Sequence, residues 1–245
     1  MKSAVRFLAI LAVLANAGLA SCAMSASPFE VSTTPSTKIT SPASQTPTPQ
    51  PQFIDLPAPR LKGILTLEEA LSKRRSVRQF SDKALTMDEL GQLLWAAQGI
   101  THPSGLRTAP SAGALYPLEV YAVTPDGVYH YEPQGHRLAL QLPGDARNAL
   151  HAAALQQDAV RQAPAVIVIA AIYERTAEKY GEERSLRYVH LEAGHAAQNI
   201  LLQAVALGLD AVPIGAFYDD QVKKALALPD DQQPLYLIPT GHPRE

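Results

Sequence analysis

The segment Arg74-Arg75-Ser76-Val77-Arg78-Gln79-Phe80 gathers guanidinium groups and a hydroxyl directly after Lys73. Guanidinium forks grip phosphate oxygens in pairs, and a hydroxyl adds a contact for a polyol, so the set suits a phosphate monoester on a sugar-like chain. Basic residues that close a helix also complement its dipole in solvent, and the residues alone leave both readings open. A second cluster is Glu178-Lys179-Tyr180-Gly181. Lys179 can serve as a base if burial lowers its pKa, with Tyr180 as proton donor. The alternative is a solvated Glu/Lys patch with Tyr180 packed in the core. His190, Glu192 and His195 carry metal-ligating groups, but a separation of five positions turns the two imidazoles about 140° apart on a helix. No metal site is expected. Ser111 is a candidate nucleophile with no base beside it in sequence. The chain has no Gly-x-x-x-x-Gly-Lys-Ser/Thr loop, no Gly-x-Gly-x-x-Gly, no Gly-x-Ser-x-Gly elbow and no His-Glu-x-x-His pair, which sets aside the chemistries those motifs serve.

The elements that must position these residues are legible from pattern. Thr66 with Glu69, and Thr86 with Glu89, are capping boxes, predicting helices over about 67–75 and from 87 to near Gly99, the second with Leu90, Leu93, Leu94 and Ala97 on one apolar face. Alternation predicts strands at Leu118 to Thr124, Gly127 to Tyr131 and Arg137 to Leu142, and the Val/Ile/Ala run Pro164 to Ile172 predicts a strand buried on both faces. Helices are expected at Ala146 to Gln157 and, as a central element, Leu186 to Leu207. A strand near Ala211 to Phe217, a helix at Asp219 to Leu226 and a strand at Leu235 to Thr240 complete the chain. The pattern is α+β, a mixed sheet flanked by helices in one domain over 61–245.

The 245 residues carry a net charge of −2 and 47% hydrophobic residues. That balance is globular and offers no basic footprint for nucleic acid. A single cysteine, Cys22, rules out an intrachain disulfide or a multi-cysteine metal centre. Lys2 and Arg6 precede an apolar run to about Ala20, the layout of a secretory signal and too short for a bilayer-spanning helix. Leu19-Ala20-Ser21-Cys22 resembles the bacterial lipobox, which implies a signal over 1–21, a lipidated Cys22 and an exported, membrane-anchored protein at the periplasmic or outer-membrane face. Ala15-Asn16-Ala17 would serve ordinary secretion instead. Between 22 and 60 Ser, Thr and Pro dominate, and such a segment reads as an unfolded tether.

Four segments, in order, resemble the nitroreductase superfamily and its azoline dehydrogenase-like SagB/ThcOx branch. Arg74-Arg75-Ser76-Val77-Arg78 is similar to the signature that grips the phosphate and ribityl chain of FMN. Arg107-Thr108-Ala109-Pro110-Ser111-Ala112-Gly113-Ala114-Leu115-Tyr116-Pro117 resembles the Pro-Ser-Ala-Gly-Ala-x-Tyr-Pro loop, which in that superfamily reaches FMN from the partner subunit. Ala211-Val212-Pro213-Ile214-Gly215-Ala216-Phe217 resembles the segment facing the flavin's reactive edge, and Gly241-His242-Pro243-Arg244 the terminal Gly-x-Pro with its arginine. The resemblance implies FMN at a homodimer interface. It assigns cofactor contacts to Arg74, Arg75, Ser76, Arg78, Pro110, Ser111, Ala112, Gly113, Pro213, Ile214, Gly215 and Arg244, and proton handling to Lys179 and Tyr180. It also implies hydride transfer between a small organic substrate and the flavin. A membrane-tethered flavin-binding or substrate-binding lipoprotein without turnover is the alternative. His195 and Gln198 are expected to pack helices or a dimer contact.

Overall fold

The computed structural model describes residues 52–244. Its strands are β1 (Phe53–Asp55), β2 (Leu118–Thr124), β3 (Gly127–Glu132), β4 (Arg137–Pro143), β5 (Ala165–Ala171), β6 (Asp210–Ala211) and β7 (Gln233–Gly241). The helices are α1 (Leu67–Lys73), α2 (Met87–Gln98), α3 (Arg147–Ala153), α4 (Asp158–Gln162), α5 (Glu174–Tyr180), α6 (Glu182–Ala206) and α7 (Asp219–Leu226). The strands form one sheet in the order β1-β4-β3-β2-β5-β7-β6. Every named ladder in it is antiparallel, and the parallel component of the expected mixed sheet is a single bridge between Ser76 and Ala211.

The sheet is covered on both faces. Alternate residues of β2 and β5 point to opposite sides: Val120, Ala122, Ile167 and Ile169 join α2 and α6 in one core, while Tyr121, Val123, Val166 and Val168 join α3, α4 and α7 in the other. All seven residues of β5 are buried, as a continuous apolar run predicts for a strand with helices on either side. Both capping boxes form. The Thr66 side chain accepts from the Glu69 amide and the Glu69 carboxylate accepts from the Thr66 amide at 2.9 Å, and Thr86 and Glu89 repeat the arrangement at 2.8 Å. These reciprocal bonds satisfy amides that a helix start otherwise leaves open.

The helix expected over Ala146 to Gln157 ends at Ala153, ahead of Leu155 and Gln156, which turn left-handed, and three further expectations shift. The domain begins earlier than residue 61, because Phe53, Ile54 and Asp55 pair with Ala139, Leu138 and Arg137. Leu56 follows them into the core, its amide donating to the His136 carbonyl at 3.1 Å. The folded edge of the segment read as tether therefore starts at about 52, whereas the signal, Cys22 and the rest of the tether lie outside the described residues. The strand expected over 211–217 is confined to Asp210–Ala211. Pro213 has no amide to donate, and pairing resumes only as an isolated bridge between Ile214 and Leu237. The long helix starts four residues sooner than its apolar pattern, at Glu182, because its first turn is exposed and charged.

Leu56→Ala is expected to cost about 2–4 kcal/mol by removing a core side chain. Leu61→Ala, at a residue 80% exposed, should stay within about 0.5 kcal/mol. Urea unfolding of the domain from residue 48 onward measures both, and equal effects would return the boundary to 61.

Candidate active site

The matched segments gather at two places. At the first, α1 ends at Lys73 and the chain runs on extended. The Val77 amide donates to the Ala211 carbonyl at 3.1 Å, and the Ser81 amide to the His242 carbonyl at 3.0 Å. Phe80 bridges Pro243. Ile214 is tied to Leu237 by bonds of 2.8 and 2.9 Å in the two directions. Residues 74–81, 211–214 and 241–243 are thereby stitched into one edge around β6 and the end of β7.

In an extended segment alternate side chains share a side. Lys73, Arg75 and Val77 line a cleft of about 280 Å³ with Leu201, Val205 and Ala211. Alternation along an extended segment would turn Arg74, Ser76 and Arg78 the other way, and Arg244 follows Pro243, which bridges Phe80, at the same edge. All four signature residues, Arg74, Arg75, Ser76 and Arg78, lie on the segment stitched to this edge. The Arg75 guanidinium donates to the carbonyls of Ser72 at 3.0 Å and Arg74 at 2.7 Å, closing its own helix end. Pro213 is half-buried, Ile214 buried and Gly215 exposed, and a Cβ built on Gly215 would meet no atom of this chain within 4 Å. Two guanidinium groups flanking a hydroxyl, with a third arginine at the chain end and open space over Gly215, fit a phosphate-bearing group with a polyol arm.

The second place is the turn before β2. Ala112–Ala114 form one turn of 3₁₀ helix, with Gly113 at φ +64°, and Ala114 and Tyr116 also have positive φ, at 54° and 49°. Tyr116 is held from four directions. Its amide donates to the Ser111 hydroxyl oxygen at 2.9 Å, and its carbonyl accepts from Arg175 at 3.1 Å. Its hydroxyl accepts the Arg107 amide at 3.1 Å, and the Arg107 guanidinium lies 4.5 Å over its ring. Arg175 also pairs with Glu119 on β2, whose other oxygen meets His130 at 2.6 Å. Burial pushes the Glu119 carboxyl up, but His130 and Arg175 outweigh it and hold the group below the usual carboxylate range. Burial lowers the pKa of Arg107, with Glu119 and Glu192 opposing it.

Lys179 and Tyr180, at the end of α5, stand over this turn. A Cβ built on Gly113 would lie 2.9 Å from both the Lys179 ammonium nitrogen and the Tyr180 hydroxyl oxygen. Tyr180 is half-buried and packs edge-on against Tyr188 at 4.9 Å, while Lys179 is exposed. The burial that would make Lys179 a base is not supplied by its own chain. His195 and Gln198 are exposed on α6, so neither packs a helix within this chain. Pro110 is exposed, Ser111 and Ala112 half-buried.

The two places lie at opposite ends of the sheet. Leu118, directly after the turn, pairs with Ala171, whereas the Ala211 edge joins Thr240, which pairs with Ala165. The length of β5 between those registers is roughly 20 Å at ~3.3 Å per residue. The model of the nitroreductase family matches residues 71–242, spanning both places. The chain belongs to the nitroreductase family. A "putative nitroreductase" of Methanocaldococcus jannaschii is 45% identical over 183 residues, covering 72% of this chain and 91% of that one. The crystal structure of a like-named protein from Ralstonia eutropha JMP134 superposes with a TM-score of 0.73 at 32% identity, over 79% of this chain and 90% of its own. The trifolitoxin-processing protein TfxB of Rhizobium leguminosarum bv. trifolii is 34% identical over 114 residues, 42% of this chain and 31% of that protein.

Sequence reasoning passed over Glu192. Its residue type suggests only a metal ligand, yet it is 2% exposed, and among the described residues no cluster suited to a metal occurs. The signal was its phase: Val189, Ala193, Ala196 and Ile200 are the buried stripe of α6, and a carboxylate at 192 falls within it.

Gly113→Ala in this family member is expected to cost about 1–2 kcal/mol, the price of a left-handed backbone with a Cβ. Gly215→Ala, where space is open, should leave the stability of the flavin-free protein within about 1 kcal/mol. Thermal unfolding of both variants checks the contrast.

Proposed function

We propose that this nitroreductase-family chain is an FMN-dependent oxidoreductase that passes a hydride between a small organic substrate and flavin N5, and that it belongs to the SagB/ThcOx-like branch. The reading is supported by the extended segment that carries Arg74, Ser76 and Arg78, bridged at Ser76 to Ala211 on the edge where Pro243 and Arg244 also lie. Arg74, Arg78 and Arg244 would hold the phosphate and Ser76 the ribityl chain, while the Gly215 backbone leaves a flat ring room to approach. FMN, when bound, supplies a two-electron carrier whose reactive ring edge takes or gives hydride. The remaining work falls to the protein. Tyr180 can hold a proton at its hydroxyl oxygen, Lys179 at its ammonium nitrogen, and the Gly113 turn fixes where both stand. The similarity to a trifolitoxin-processing protein supports the branch.

The active form in this reading is a homodimer. The arginine segment and the Lys179–Tyr180 pair are separated within one chain by the length of β5, so a second copy supplies the half that each lacks. Leu61, Ile64 and Leu67 are exposed apolar residues beside a groove of about 720 Å³ that Trp95, Thr108 and Asn199 also line. Apolar surface gathered in this way suits an interface. The N-terminal reading extends to an exported lipoprotein, with Cys22 as the acylated first residue of the mature protein. It rests on residues 2–22 alone. Mass spectrometry of the membrane-extracted protein should find Cys22 diacylated, and a soluble product cleaved elsewhere would overturn that part.

Arg74→Ala is expected to fold and dimerise but to lose at least about tenfold in FMN affinity, since it deletes a charge-assisted contact to phosphate. Visible absorption and released flavin read the loss, and stoichiometric FMN in the variant would refute the phosphate assignment. Mixing Arg74→Ala with Lys179→Ala chains tests the shared site. If the halves join across the dimer, each mixed dimer regains one intact site and turnover reappears; if each chain forms its own site, none is regained.

A further inference from the structure

Lys179 and Tyr180 both stand on the last turn of α5, a helix of seven residues. A helix this short has little stability of its own. It takes its place from what it is tied to, which is α6 beside it and, through Arg175, the strand β2. Arg175 lies four residues before Lys179, and positions so spaced share one face of a helix, about a turn apart. The Arg175 guanidinium is gripped at two nitrogens. One donates to the Tyr116 carbonyl at 3.1 Å, and the other meets Oε1 of Glu119 at 2.5 Å. A planar fork held at two points cannot swing as a single point charge can.

Glu119 is itself held. Its Oε2 meets Nε2 of His130 on β3 at 2.6 Å, along a diagonal of the ladder in which Tyr121 is the partner of His130. The His130 and Tyr121 rings pack with centroids 4.9 Å apart. Both oxygens of the carboxylate are thus engaged, one by a strand and one by a helix. Such a half-buried ion pair adds little net stability over apolar side chains of similar volume, so its use lies in the geometry it imposes. The segment that accepts Arg175 is also the one that carries Gly113. The first turn of α5 is pinned at Tyr116 and Glu119, and its last turn puts the Lys179 nitrogen and the Tyr180 hydroxyl oxygen each 2.9 Å from a Cβ built on Gly113.

We propose that Glu119 is a positioning residue of the candidate active site: acting through Arg175, it sets how α5 stands on the Gly113–Glu119 segment, and so where Lys179 and Tyr180 meet the Gly113 turn. The consequence for turnover rests on the FMN reading above; the placement of the pair does not.

The test uses Glu119→Leu, Arg175→Met and the double variant, which replaces the ion pair by apolar groups and is the one of the three expected to keep the parent's stability. NMR of the purified, isotope-labelled protein reads the placement directly, as proximity signals between the α-protons of Gly113 and the side chains of Lys179 and Tyr180. The parent should show these signals and all three variants should lose them, the double variant without a fall in Tm. Amide hydrogen exchange is the second readout. In each single variant the amides of Ala114 to Tyr116 and of α5 should exchange about tenfold faster, as loss of one charge-assisted hydrogen bond allows, while those of β5 keep their protection. Because Glu119 acts through Arg175, the double variant should loosen these amides no further than the stronger single variant, whereas independent effects would multiply. Signals absent from the parent, or retained in the folded variants, would overturn the proposal. So would a loss of protection spread evenly over β5 and α5, or effects that multiply. If Glu119→Leu alone does not fold, Arg175→Met and the double variant decide by the same signals. A protein that takes up no FMN on titration yet shows the local effect would refute the FMN reading while leaving the positioning role intact.

Discussion

The site depends on a backbone that most residues refuse. Ala114 and Tyr116 both carry positive φ, at about 1–2 kcal/mol each for a residue with a Cβ. Against this stand the three hydrogen bonds on the amide, carbonyl and hydroxyl of Tyr116 and the guanidinium over its ring. At about 1 kcal/mol for each bond, somewhat more for the one from Arg175, the two sides offset within error. The turn is therefore held by its surroundings rather than by its own preference. The clamp is anchored to elements rooted in the core: Arg175 comes from α5 and pairs with Glu119 of β2, and Arg107 is tied to Gln98 of α2.

That arrangement explains why the fold has so many buried or half-buried polar groups at one end of an otherwise apolar sheet. Glu119 is half-buried yet paired twice, so its charge is compensated where it lies. Glu192 is buried with fewer partners, so the same low-polarity surroundings act on it in the opposite direction. Two carboxyls near one turn end on opposite sides of their ordinary range because Arg175 and His130 outweigh burial at Glu119, whereas at Glu192 burial outweighs Ser111, Arg107 and Gln98.

What the sequence made legible follows the strength of local rules. Capping boxes and the apolar run of β5 specify their elements from neighbours alone, and both formed as expected. The helix Asp219–Leu226 also formed over its expected span. β1 was hidden because its three residues are exposed and lie among prolines; only their pairing with β4 makes them a strand. β6 was overextended because β-branched and apolar residues around Pro213 mimic a strand that Pro213 itself interrupts. The family motifs were found as strings. That the arginine string runs extended beside Ala211, rather than continuing the helix before it, is established only by the bridge between Ser76 and Ala211.

If the two places are halves of one site, as proposed, their separation along the sheet has a consequence for how such a chain can vary. The Ala211 edge is built from the segment after α1, residues 211–214 and the end of β7, whereas the Tyr116 clamp is built around β2, α2 and α5. Each half is fixed by its own packing, so change in one need not disturb the other. The phosphate grip can stay constant while residues around Lys179, Tyr180 and Gly113 alter what reacts. Their spacing along β5 sets the one constraint the halves share, because a strand buried on both faces cannot lengthen or slip by a residue without turning its side chains to the wrong core. In the proposed homodimer, the rigidity of β5 is what would let two copies of the chain present matching halves to each other.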